Sequence, residues 1–216
     1  MGWPRNTLPL ILCAPILASC VIGGYASRVP EGDDAVILLA SVTMPEPIDT
    51  IARHAWFAVR EDKSDRWYKI EYGSFGPGPL KTNHGSVEVH AVWRGAEAQR
   101  GIDCLNEKKR EAKVKKYWAY PGPNSNTFID RLLRLCKLRA DLPSTAIGKD
   151  YRGRFIGASW TTSGTGFQVE TALVGFRLGL KEGIEIHLLT LAFGIDLWPP
   201  AIIVPFGAGR IGFADN

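Results

Sequence analysis

Residues 53–72, RHAWFAVREDKSDRWYKIEY, read as a β-hairpin. His54 to Val59 is a short apolar run rich in strand-forming residues, residues 61–66 form a charged loop, and Trp67 to Tyr72 alternates as the return strand. On the N-terminal side, residues 35–40 (AVILLA) read as a buried strand, broken by Pro45 and Pro47. On the C-terminal side, residues 73–79 hold three glycines and two prolines and read as a loop. Residues 86–93 then place Val87, Val89, Ala91 and Trp93 on one face at period two.

Further on, Ala98, Ile102 and Leu105 recur at helical spacing, which predicts a helix over residues 95–112. Its basic continuation, residues 108–116, reads as a solvated helix end where cations also suit the dipole. Tyr117 to Tyr120 reads as a short strand. The group Pro121-Gly122-Pro123-Asn124-Ser125-Asn126 carries helix-capping residues and predicts a helix over 127–138. Beyond Leu142-Pro143 the chain turns apolar and glycine-rich. Residues 169–180, 185–193 and 201–205 read as further strands, or as strands with one helix. Together these segments make an α+β fold: a mostly antiparallel sheet with a few packed helices.

Bulk properties bound the function. Charged residues are 22% and hydrophobic residues 45%, a globular composition. The formal charge of +4 permits attraction to anionic lipids or cell-wall polymers and points to no nucleic acid. Cys104 and Cys136 are the only pair outside the N-terminal segment. Two buried free thiols are the default expectation, with a bridge as the alternative in an oxidising compartment.

The first residues read as a targeting segment. One positive charge, Arg5, precedes an apolar run over residues 8–19, long enough for a signal-peptide core and short for a bilayer span. The run ends Leu17-Ala18-Ser19-Cys20, which resembles the lipobox of bacterial lipoproteins. That resemblance implies cleavage and lipidation at Cys20. Read on through Val21 to Ala26, the same run reaches about twenty residues, the length of an uncleaved transmembrane anchor. Ordinary secretion is the third reading. All three put the remainder outside the cytoplasm, and the two anchored readings place it in the cell envelope, membrane-anchored and facing the periplasm. The resulting organisation is a signal segment (1–20), a linker (21–34) and a single globular domain (35–216).

The residues that carry chemistry are His54 at a strand start and Ser125 at a helix start, with Glu71 on the strand beside His54. A nucleophile at a helix N-terminus lies beside unpaired N–H groups and the positive end of the dipole. A histidine on a neighbouring strand acts as base, oriented by a third polar group. Asn124 and Asn126 flank Ser125 as candidate substrate-binding residues. Plain helix capping explains Asn124-Ser125-Asn126 equally well, and a structural role explains His54.

The order of these elements, histidine strand first and nucleophile helix later, resembles the circularly permuted papain-like proteins. That group includes lecithin–retinol acyltransferase and the permuted thiol peptidases. Its nucleophile sits in an Asn-Cys-x-x-Phe motif, which Asn124-Ser125-Asn126-Thr127-Phe128 matches with serine in the cysteine position. The resemblance spans residues 50–138. It implies a permuted papain-like core with His54 as base, Ser125 as nucleophile and Glu71 as orienting residue. The implied activity is acyl transfer or amide hydrolysis on a cell-wall or lipid substrate. A serine hydroxyl needs a better-aligned base than a thiolate does. More closely, PGPNSNTF (residues 121–128), with Asp141-Leu142-Pro143 and Ala146 to Tyr151, is similar to an uncharacterised family of bacterial envelope proteins.

Other candidates are weaker. His84 lies in a loop and His90 on a strand. His187 reads as a satisfied core histidine. Ser163-Gly164-Thr165-Gly166 lacks the lysine of a phosphate loop, and Lys149-Asp150-Tyr151 has no assigned role. No Gly-x-Ser-x-Gly or His-Glu-x-x-His occurs, and no cofactor or metal site is expected. The partners expected are membrane lipid through the N-terminus and the substrate. The competing reading is a non-catalytic envelope binding or scaffolding module whose apolar C-terminal third, residues 175–213, packs on a partner or membrane face.

Overall fold

The computed structural model describes residues 31–32, 34–73, 78–82, 85 and 87–213. The targeting segment, Cys20, most of the linker and His84 lie outside the described residues. The described chain is mixed α+β, with two antiparallel sheets and two helices.

The first sheet has the order β3-β2-β1-β4, from β1 (Val36–Thr43), β2 (Arg53–Arg60), β3 (Trp67–Ile70) and β4 (Val87–Arg94). The 53–72 hairpin forms as expected, pairing Phe57 with Ile70 and Arg60 with Trp67, although β3 ends before Glu71. β1 and β2 are buried on both faces, which explains their near-continuous apolar sequences. Ile37, Leu39, Ala55, Phe57 and Val59 face α1 (Gly95–Ala112) and α2 (Ser125–Leu135). Val36, Leu38, Ala40, Trp56 and Ala58 form a second cluster on the other face, with Trp67 and Leu80 beside it.

The single-face expectation for β4 does not hold. The pairing with β1 shifts between Leu39 and Ala40, so that Leu39 meets Ala91 and Ala40 meets Val89, with His90 left over. One extra residue reverses the side-chain phase. Val87 and Val89 therefore join the cluster around Trp56, whereas Ala91 and Trp93 join the helix side. Residues 117–120 form no strand either. Tyr117 instead stacks on Tyr72, and the Trp118 N–H donates to the Pro123 carbonyl, which folds the segment back on its own Pro-Gly-Pro turn.

Helix α1 forms over the expected residues and buries Ala98, Ile102 and Leu105. At Gly101 a Cβ would stand 2.6 Å from Ile37 Cδ1, so the helix crosses β1 at glycine distance. α2 starts two residues before the expected Thr127 and buries Phe128, Ile129, Leu132 and Leu133. The free-thiol expectation is corrected: Cys104 on α1 and Cys136 at the end of α2 are disulfide-bonded, with Cα atoms 5.7 Å apart. Packing of the two helices on one sheet face brings the residues together, across a sequence separation of 32. Converting both cysteines to serine is expected to cost roughly 3–4 kcal/mol for a loop of that length, read as a lower urea midpoint.

The second sheet is a seven-stranded antiparallel meander. Its strands are β5 (Ile156–Trp160), β6 (Gly166–Thr171), β7 (Val174–Gly179), β8 (Gly183–Leu188), β9 (Leu191–Leu197), β10 (Pro200–Ile203) and β11 (Arg210–Gly212). Residues 169–180 are thus two strands, as are 185–193, and the optional helix is absent from them. Burial alternates strictly along β6, β7 and β8, but with polar side chains inside. Gln168, Glu170, Arg177, Glu185 and His187 are buried. The outward face is apolar across the whole sheet. Trp160 sits opposite Phe167, Phe167 opposite Leu178, and Leu178 opposite Ile184. The row continues through Ile195, Ile202 and Ile211 on β9, β10 and β11.

Candidate functional site

The start of α2 is built by a reciprocal cap. The Asn124 side-chain oxygen accepts from the backbone N–H of Asn126 and of Thr127, at 2.9 and 3.2 Å. In return, the Asn124 N–H donates to Thr127 Oγ1 at 3.0 Å. Asn124 Nδ2 donates to the carbonyls of Ala119 and Ile147, and Thr127 Oγ1 donates to that of Gly148 at 2.6 Å. Gly148 has φ +88°, and a Cβ there would stand 2.3 Å from the Asn124 amide, so this contact admits only glycine.

Asn126 ties the helix start to the histidine strand. Its Oδ1 accepts from the Ala55 N–H at 3.0 Å, while its Nδ2 donates to the carbonyls of Arg53 and Ile147. Ala55 and Arg53 are the neighbours of His54, so one amide sets the spacing between the two elements. Both asparagines are 4% exposed, and their amides are taken up within the protein rather than turned to open space.

This frame brings together three side chains distant in sequence. His54 Nδ1 lies 3.1 Å from Ser125 Oγ, and His54 Nε2 lies 3.2 Å from Glu71 Oε2. The two ring nitrogens thus have different partners. With the proton on Nε2, the ring donates to Glu71 and accepts from the Ser125 hydroxyl. His54 is 1% exposed and Ser125 7%. The Trp56 ring stacks against His54, with centroids 6.1 Å apart. Ser125 is the first helical residue, and no acceptor meets its backbone N–H among the described residues. Tyr117, Trp118 and Tyr120, each about half exposed, lie just ahead of the site in sequence. Tyr72, next to Glu71, packs on Tyr117 and edge-on to Phe128.

Arranged in this way, the three side chains can pass a proton from a serine hydroxyl to an imidazole whose far nitrogen faces a carboxylate. A developing oxyanion near Ser125 would meet a helix N-terminus. A depression lined by Pro121, Tyr151, Glu170 and Thr190 includes neither His54 nor Ser125.

The weaker candidates have other surroundings. His90 Nε2 lies 2.7 Å from Ser41 Oγ, beside the Arg53–Glu88 ion pair. In the 163–166 turn, Thr165 Oγ1 donates to the Glu182 carboxylate, so an anion already occupies its donor.

Sequence reasoning missed a buried charged layer between α2 and the second sheet. Asp150 accepts from Lys149 at 2.7 Å, from Arg177 at 2.9 Å and from Gln168 at 2.8 Å. Arg177 also pairs with Glu185, and Arg152 pairs with Asp130 on α2. The signal was present in the sequence: Gln168, Glu170, Arg177, Glu185 and His187 keep period two along their strands. His187 is satisfied, as read, but by carboxylates rather than by an apolar core. Its Nδ1 lies 2.5 Å from Glu170 and its Nε2 3.3 Å from Glu185.

Burial alone would lower the His187 pKa. Asp150 and the bonds to Glu170 and Glu185 outweigh it and push the pKa from 6.5 up to about 9. Asp150, Glu170 and His187 offer ligand atoms within 4.8 Å of one another, the spacing of a cation site. The Lys149 ammonium and the protonated His187 already supply the positive charge those carboxylates need. A raised histidine pKa stabilises the fold fully below the unfolded value and loses that contribution as pH rises through the folded one. Stability should therefore fall by on the order of 3 kcal/mol between pH 6.5 and about 9. His187→Gln should flatten that decline in a series of melting curves.

No curated protein and no solved structure matches the chain. A family model, "Protein of unknown function (DUF3750)", matches residues 34–151, which takes in the first sheet, both helices and the His54–Ser125–Glu71 cluster and ends before the second sheet. The chain therefore belongs to the DUF3750 family of proteins of unknown function.

Proposed function

We propose that this chain is a membrane-tethered envelope protein whose Ser125, His54 and Glu71 catalyse acyl transfer or amide hydrolysis. The observation that carries this reading is the pair of contacts on one imidazole, 3.1 Å to the Ser125 hydroxyl and 3.2 Å to the Glu71 carboxylate. Ser125 Oγ attacks the acyl carbonyl while its proton passes to His54 Nδ1. Glu71 stabilises the imidazolium, and the Ser125 N–H with the α2 dipole meets the oxyanion. His54 returns the proton to the departing alcohol or amine as the acyl-serine forms. Water, or an acceptor hydroxyl or amine, then gives up its proton to His54 and attacks the acyl-serine carbonyl; the bond to Ser125 Oγ breaks, and His54 returns the proton to Oγ as the acyl product leaves. Asn124 and Asn126 position Ser125 against His54.

The histidine strand preceding the nucleophile helix supports a permuted papain-like core over residues 50–138. The lipobox-like Leu17 to Cys20 and the Cys104–Cys136 bond both suit an oxidising envelope compartment. The tether of this reading is the lipobox-like N-terminal segment; no helix among the described residues is long and apolar enough to cross a membrane.

The test is turnover of p-nitrophenyl acyl esters and acyl-amides by the purified full chain beside Ser125→Ala. Turnover that vanishes in Ser125→Ala supports the reading. Equal rates in both chains remove it and leave the non-catalytic binding module, which the near-complete burial of Ser125 favours.

A further inference from the structure

The second sheet has its hydrophobicity reversed. An antiparallel sheet with one face on the protein ordinarily buries its apolar residues there. Here the inward face carries Glu170, Arg177, Glu185 and His187, and the outward face carries Trp160, Phe176, Leu178, Ile184 and Ile195, between 44 and 74% exposed. The register makes the outward apolar row unbroken across seven strands. Along β5 to β10 the exposed strand positions hold no charged side chain. Six spacings of about 4.8 Å make this face roughly 30 Å wide, well beyond the scattered apolar exposure of an ordinary monomer surface.

The charges on this sheet and its turns point to what covers the face. Glu170, Glu182, Glu185 and Asp196 are all buried. The accessible charged side chains described between residues 153 and 213 are Arg154, Lys181 and Arg210, all cationic, of which Arg210 is taken up by Asp196 and by the Pro199 and Phe213 carbonyls. Arg154 lies over the Phe155 ring, and Lys181 follows Leu180; Phe155 and Leu180 are 77 and 78% exposed. Trp198, 74% exposed, adds an aromatic at the β9–β10 turn. An apolar face rimmed by tryptophan and cations matches an anionic lipid interface. A second copy of this face would bring no accessible carboxylate, among the described residues of the sheet, to meet these cations. Strands of 3 to 7 residues are too short to span a bilayer, and an open sheet leaves two edges whose N–H and C=O groups need water. The sheet therefore lies flat rather than crossing.

We propose that the outward face of β5–β11 docks on the surface of an anionic lipid bilayer, as a second attachment independent of the N-terminal segment and of the chemistry at Ser125. With two attachments the protein is held in one orientation instead of swinging on its linker.

The test reconstitutes the full chain in phosphatidylcholine vesicles containing about one-third phosphatidylglycerol, with a photoactivatable diazirine in the acyl chain. Lipid adducts are then mapped by peptide mass spectrometry. The expected result is adducts on outward residues of β5–β9, among them Trp160, Phe176 and Ile184, besides any in residues 1–30. Ile184→Asp with Ile195→Asp should lower the sheet adducts by about tenfold. The wild-type map decides the matter if that variant fails to fold. Adducts confined to residues 1–30, or cross-links joining this face to a second copy, would overturn the proposal.

Discussion

Ser125→Ala and His54→Ala are each expected to reduce acyl-ester turnover by about three orders of magnitude or more, and the double variant is expected to be no slower than either single one. The two side chains work as one unit: the hydroxyl is a weak nucleophile until the imidazole accepts its proton, and the imidazole has nothing to activate without the hydroxyl. The residual rate should reflect the Ser125 N–H and substrate positioning alone. Glu71→Gln should cost less, because Gln still accepts a hydrogen bond from Nε2 but no longer offsets the imidazolium charge. Ser125→Cys is the informative variant. A thiol at a helix N-terminus beside an imidazole ionises readily, so this chain should stay active and carry its turnover to lower pH than the serine form. Initial rates across pH, measured for the wild type and these five variants side by side, check all of this. Additive losses for Ser125 and His54 would mean that their 3.1 Å contact is not used in turnover.

Asp150→Asn should be the most damaging single substitution for stability, at about 3–5 kcal/mol, because it removes a buried negative charge from between buried cations. The carboxylate lies against Lys149, Arg177 and Gln168, and Lys149 and Arg177 are 4 and 5% exposed as side chains. Burial alone would raise the Asp150 pKa, but Lys149, His187 and Arg177 hold it well below the usual carboxylate range. A depressed carboxylate pKa contributes stability above the unfolded value and loses it as pH falls through the folded one. Wild-type stability should therefore decline on acidification from about pH 4 downward, and Asp150→Asn should show a shallower decline from a lower starting point. Urea unfolding of the two proteins at neutral and acid pH measures both effects. Because this layer joins α2 to the second sheet, the variant should loosen β5–β11 before it loosens the first sheet, seen as earlier hydrogen exchange in residues 156–212.

How far the sequence could be read follows from which interactions are local. The 53–72 hairpin and both helices were legible because strand alternation, a charged loop and helical spacing all act within a few residues of each other. The cap was legible for the same reason, since Asn124 and Thr127 satisfy each other across three positions. The bulge at His90 was not, because a phase change in β4 shows only against the register of β1. The Cys104–Cys136 bond depends on where two helices sit on a sheet, which no spacing encodes. In the C-terminal third, period two marked the strands but not which face turns inward. Inward charge is tolerable only because Asp130, Lys149, Asp150 and Arg152 wait on the opposing layer, up to several tens of residues away in sequence. His54, Ser125 and Glu71 were picked out by residue type and order. Asn126 was picked out beside them as a substrate-binding candidate; what the sequence could not supply was its clamp of the helix start to both neighbours of His54.

Labelling of the purified full chain with a fluorophosphonate, followed by peptide mass mapping, tests the nucleophile most directly. An activated serine forms a covalent phosphonyl ester, whereas a capping serine does not. The expected result is one adduct, on Ser125, strongly diminished in His54→Ala. An unlabelled protein, or an adduct on Ser144 or Ser163 with Ser125 unmodified, would contradict the account.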